Sequence, residues 1–139
     1  MAELPFELTG QVVPGKQLGS TLGFPTANIA YDPQSRSWPR EGVYAGIATV
    51  EGDERRYLAI LNQGRHPTSP DGMPTVEAHL LGHEEKPLYG LHLTLCYRAF
   101  LRPETAFPSL EALRTQLQQD RLNALEWAQT HEPHLTEGV

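Results

Sequence analysis

The chain is 139 residues long with a formal net charge of −6, a length that suits one compact domain over 1–139 and leaves no room for a second. That charge argues against a general nucleic-acid surface, which normally carries a basic patch, and favours small-molecule or protein partners. No apolar run approaches the roughly 20 residues a membrane span needs, the N-terminus lacks a secretory signal, and the lone Cys96 cannot close an internal disulfide, so a soluble protein of the reducing cytoplasm is expected.

In chain order, Phe6 to Val13 reads as a strand that ends at Pro14-Gly15. Glycines then punctuate 10–23, and Gly19-Ser-Thr-Leu-Gly-Phe-Pro-Thr-Ala-Asn28 combines free backbone, a stiffening proline and two oxygen-bearing side chains. Such a segment suits a polar ligand: glycines let N–H groups approach an anion, and Thr26 and Asn28 are hard donors fit for Mg²⁺. It is not a Walker A loop, since no Gly-Lys-Ser/Thr ending is present. A glycine-rich β-turn without a ligand is the alternative. Val43 to Val50 is the next strand, leaving through Glu51-Gly52-Asp53-Glu54 as a hairpin turn into Tyr57 to Leu61. Val76 to Leu81 and Leu88 to Leu101 follow, the last long enough to bend or carry a bulge. Irregular, proline-bearing stretches at 31–41, 62–75 and 102–108 are where binding functions are expected. Short strands with Gly/Pro turns predict a sandwich or barrel. At Ser109 the period changes: Leu110, Leu113 and Leu117, continued by Leu122, Leu125 and Trp127, predict one helix over about 109–130 that packs on the strands. Pro133 suggests a frayed tail from His131.

Few residues stand out chemically. In a strand, Glu77 and His79 share one face, opposite Val76, Ala78 and Leu80, so Glu77 is a candidate general base and a merely solvated outer face is the alternative. His79 with His83 and Glu84 has a spacing that suits metal binding on a helix, not on this strand and turn. Asn62 to Thr68 reads as a polar loop, solvated in the plainest reading. Arg102 and Glu104 flank Pro103; Arg102 either makes a weak surface ion pair, clamps a phosphate or orders a loop. Tyr89 is either core or a platform for a planar ring, and Cys96 is a small packing residue.

The order of these elements is more specific than any of them singly. Gly10-Gln-Val-Val-Pro-Gly15, Leu22-Gly-Phe-Pro-Thr-Ala-Asn28, Gly42-Val-Tyr-Ala45, Val76-Glu-Ala-His-Leu-Leu81, Leu88-Tyr-Gly90, Leu101-Arg-Pro-Glu104 and Phe107 to Leu113 together resemble the riboflavin kinase (flavokinase) family, from about residue 4 to residue 125. The resemblance implies a mainly β fold, a six-stranded antiparallel Greek-key barrel over about 6–101 with a C-terminal helix. It also implies ATP-dependent phosphorylation of the riboflavin 5′-hydroxyl to give FMN and ADP. Glu77 becomes the catalytic base, and Thr26 and Asn28 the ligands of Mg²⁺, with Zn²⁺ or Mn²⁺ as alternative ions. Nucleotide contacts fall on Gly15, Lys16, Gly19, Ser20, Gly23, Pro25, Thr26, Asn28, Asn62, His79 and Tyr89, and flavin contacts on Arg102, Glu104 and Phe107. A monomer free of nucleic acid and membrane is expected. Ser20, Ser69, Gly82 and Ala106 depart from the common bacterial pattern and bear on contact detail rather than on the reaction. Many bacterial relatives carry an N-terminal adenylyltransferase that makes FAD; it is not in these residues, so FAD synthesis is not expected, and Met1 favours a free-standing enzyme. The competing reading is a catalytically inactive flavin- or nucleotide-binding barrel with a regulatory role.

Overall fold

The computed structural model describes residues 1–14, 26–68, 72–83, 88–137 and 139. Six strands close into an antiparallel barrel in the order β1-β2-β5-β4-β3-β6. They are β1 (Phe6–Val13), β2 (Thr26–Ala30), β3 (Gly42–Val50), β4 (Arg56–Thr68), β5 (Pro74–Leu80) and β6 (His92–Arg102), followed by helix α1 (Leu110–His131). Five of these match strands predicted from the sequence. The exceptions are instructive. β2 takes up the Thr26–Asn28 segment read above as part of a ligand loop, and residues 62–68, read as irregular, are the second half of β4. Both escaped the period-2 signal for one reason: β2 is buried on both faces over Thr26–Ile29, and Gln63 and Gly64 are buried as well, so polar residues do not mark a solvated side.

The interior is filled by Phe6, Ile29, Tyr44, Leu61, Leu80 and Tyr97 among others. One buried polar chain crosses it: the Tyr97 hydroxyl donates to Gln63 Oε1 at 2.7 Å, and Gln63 Nε2 donates to the Pro39 carbonyl at 2.7 Å. Burial raises the Tyr97 phenol far above the ordinary tyrosine range, so it stays a donor. A second cluster lies outside the barrel wall, where Val43, Ala45, Ile47, Leu58 and Ile60 meet Leu117, Ala124 and Ala128 of α1. The β3–β4 wall is thus apolar on both sides, which explains the run from Val43 to Ala48 without a polar side chain. The long β6 carries register shifts against β3, at Val43/Tyr44 and Ala45/Gly46. At the second, the backbones approach so closely that a Cβ on Gly46 would lie 2.4 Å from the Cys96 carbonyl oxygen, and only glycine fits there.

Ser109 caps α1 as predicted, its hydroxyl accepting from the Ala112 N–H at 3.1 Å. The stripe differs from the predicted one. Leu117, Asp120, Ala124 and Ala128 are buried, whereas Leu110 and Leu122 are 58% and 55% exposed. Steps of three and four from Leu117 lead through position 120, and Leu122 falls on the opposite side of the helix. The tail is also more ordered than predicted. Pro133–Thr136 forms a 3-10 turn with Leu135 buried, and Glu132 receives Arg98 at 3.1 Å and Arg56 at 3.2 Å. Among the described residues no helix is long and apolar enough to cross a membrane.

Candidate functional site

β5 lies between β4 and β2, and the register places Glu77 opposite Asn62 on one side and Asn28 on the other. His79 stands in the next row, between Ile60 and Thr26. Because Ala27, Ile29, Val76, Ala78 and Leu80 point into the barrel core, these rows face outward, as the alternation around Glu77 predicts. The outer face is polar but not solvated. Asn28 is fully buried, His79 is 2% exposed, Thr26 6% and Glu77 9%.

Burial on that scale demands partners, and the rows supply only some of them. Nδ1 of His79 lies 3.2 Å from Thr26 Oγ1, and Nε2 lies 3.0 Å from Glu77 Oε1. Neither Oδ1 nor Nδ2 of Asn28 has a hydrogen-bond partner among the described residues, nor does Oδ1 of Asn62. A buried amide left unmatched costs roughly 1–3 kcal/mol. Asn28 Oδ1 and Thr26 Oγ1 are neighbouring outward oxygens on one strand, a donor set that fits a small hard cation. The alternative metal reading does not come together: the His83 ring packs edge-on against Tyr57 with centroids 4.8 Å apart, and Glu84 lies outside the described residues.

The flavin-side candidates gather at the far end of β6. Arg102 does not reach out to solvent; its Nε and Nη2 both donate to the carboxylate of Asp120 at 2.8 Å, and its Nη1 donates to the Pro103 carbonyl at 3.2 Å. The guanidinium also stands 5.7 Å over the Phe107 ring. Arg102 is thus held in a bidentate ion pair whose partner is Asp120, not Glu104. Glu104 folds back onto β4, where a Cβ on Gly64 would lie 1.5 Å from its Oε2. Gly64 points outward like Asn62, so this carboxylate lies beside the end of the polar row. Asp120 was missed in the sequence, although its place on the stripe between Leu117 and Ala124 is a signal: a charge there needs a buried partner.

Tyr89 is 63% exposed, which removes the core alternative. Its turn is tied to β1, with the Gly90 N–H donating to the Val12 carbonyl at 3.2 Å and Gln11 Nε2 donating to the Gly90 carbonyl at 2.9 Å. Val13, the next residue of β1, pairs with Asn28. Gly82 follows β5 in a turn with φ of 80°, a conformation glycine adopts without strain. Gly15, Lys16, Gly19, Ser20, Gly23, Pro25 and Ser69 lie outside the described residues.

A family model described as riboflavin kinase (flavokinase) matches residues 2–128. The bifunctional riboflavin kinase/FMN adenylyltransferase of Escherichia coli (strain K12) is 37% identical over 123 residues, which cover 88% of this chain and 38% of that protein. The RNA-binding riboflavin kinase RibR of Bacillus subtilis (strain 168) is 35% identical over 113 residues, 81% of this chain and 47% of that protein. The chain therefore spans less than half the length of either relative. Among solved structures, riboflavin kinase from Trypanosoma brucei superposes with a TM-score of 0.70 at 27% identity, covering 99% of this chain and 87% of that one.

Proposed function

The chain belongs to the riboflavin kinase family, and on that premise we propose that it transfers the γ-phosphoryl group of ATP to the 5′-hydroxyl of riboflavin, giving FMN and ADP. The observation that carries the reading is the Asn28–Glu77 pair: a fully buried amide, unmatched among the described residues, directly across from a carboxylate that still reaches solvent. A barrel that only bound flavin would have no use for the carboxylate.

Thr26 and Asn28 are the residues that would hold Mg²⁺, or another divalent ion, with the nucleotide phosphates. When bound, such an ion neutralises phosphate charge and orients the nucleotide. Glu77 takes the proton from the 5′-hydroxyl as the oxygen bonds to the γ-phosphorus and the bond to the β-phosphate oxygen breaks, releasing ADP. Asn62 and the exposed Tyr89 ring border the nucleotide side. Glu104, folded against Gly64, and Phe107, beside the Arg102 guanidinium, border the flavin. Riboflavin and ATP are the proposed ligands; a formal charge of −6 gives no general attraction for nucleic acid. The test is incubation with riboflavin, ATP and Mg²⁺ and separation of the products. FMN and ADP in equal amounts are expected, and unchanged riboflavin would reject the activity.

A further inference from the structure

Resting on that reading, we propose that His79 is the positioning residue for Glu77, one ring that sets both the base and the hydroxyl of Thr26, and not a nucleotide contact. Three observations converge on it. The first is contact: one ring nitrogen lies 3.0 Å from Glu77 Oε1 and the other 3.2 Å from Thr26 Oγ1. The second is access. The His79 side chain is 2% exposed while that of Glu77 is 12% exposed, so a ligand that touches the carboxylate meets Glu77 before it can meet the ring. The third is confinement, because the register sets the ring between Ile60 of β4 and Thr26 of β2, on the strand in the middle of the three.

The chemistry follows from what each group can give. A carboxylate only accepts, so the proton between the two side chains sits on Nε2 and holds Oε1. Oε2 is then left to face the incoming hydroxyl, and a side chain with several rotatable bonds is confined to one productive arrangement. In the neutral ring Nδ1 is an acceptor, so the Thr26 hydroxyl donates to it and its oxygen lone pairs turn away from the ring.

Two substitutions separate this role from its rivals. In His79→Gln the amide reaches the Nε2 position and keeps a donor on Glu77; in His79→Asn it reaches only the Nδ1 position and keeps Thr26. His79→Asn is expected to lower kcat by about 10–100-fold, the usual effect of losing an orienting partner. Its KM for riboflavin and its calorimetric affinity for MgADP should stay near parental values, and His79→Gln should recover most of the lost kcat. In a Glu77→Gln background, His79→Asn should have no further effect on kcat, because its action runs through the lost carboxylate. A parental kcat in His79→Asn, equal losses in both variants, an MgADP affinity that falls with kcat, or a further loss in the Glu77→Gln background would each overturn the assignment. Any of these in a parent that makes FMN rejects the role of His79 alone. A parent that makes no FMN rejects the kinase reading, and the role of His79 with it.

Discussion

Asn28 is a residue that stability alone would not keep, since its buried amide lacks hydrogen-bond partners among the described residues. Asn28→Leu, of similar shape, should leave the ligand-free melting temperature unchanged or raise it, because the orphaned groups disappear. On the proposed assignment the same variant loses an oxygen ligand and should need far more Mg²⁺ for half-maximal turnover. Thermal unfolding without ligand, beside a Mg²⁺ titration, checks both halves; a markedly lower melting temperature would mean that the amide is structural. Gly64 is the second telling residue. Its space is filled by the Glu104 carboxylate, which is the far end of a flexible side chain and can swing away. Gly64→Ala should therefore fold well yet weaken riboflavin binding as much as Glu104→Ala does, and riboflavin fluorescence titrations of the two variants should agree. Thr26, Asn28 and Glu77 stand out in the sequence as candidates by their chemistry. Their adjacency does not, because it depends on which strands pair, and nothing local records that β2 and β4 flank β5.

At the scale of elements, the sequence was clearest where one face meets water and the other meets the core, as in β1, and in the capped start of α1. It was least clear in β2, whose outward Thr26 and Asn28 are buried, and in the second half of β4, where the inward Gln63 is buried as well, so that polarity no longer marks exposure. The end of α1 is a further case, since what orders it is an ion-pair cluster contributed by two distant strands. Hydrogen bonds from Arg98 and then Arg56 hold the Glu132 carboxyl below the ordinary glutamate range. The folded protein thus binds that proton less readily than the unfolded chain. The stabilisation is complete above the ordinary range and is lost as pH falls through the lowered folded value. The melting temperatures of parent and Glu132→Gln should differ at neutral pH and converge in acid. A gap that is unchanged between pH 7 and the acid limit of folding would show that the carboxylate charge is not what matters.

For the whole molecule, the two proposed ligand regions share one strand. Asn62 belongs to the polar row and Gly64, two positions on, carries Glu104 of the flavin-side loop. A nucleotide that fixes this part of β4 fixes the flavin side as well, so MgADP and FMN should tighten each other equally, with a coupling of about 1–3 kcal/mol. Calorimetric titration of FMN with and without saturating MgADP measures it, and identical affinities would show that the two sites are independent. The strand order has another consequence, in the time domain. Asn28 meets Glu77 only when β2, from the first quarter of the chain, has paired with β5, and that long-range pairing carries a loop-closure cost which local hairpins such as β3–β4 do not. The row is therefore assembled late, and a chain that has collapsed but not closed its barrel has no place to grip a nucleotide. In stopped-flow refolding, the signal from bound MgADP should rise with the slowest folding phase, and an earlier rise would mean that a binding-competent row forms before closure.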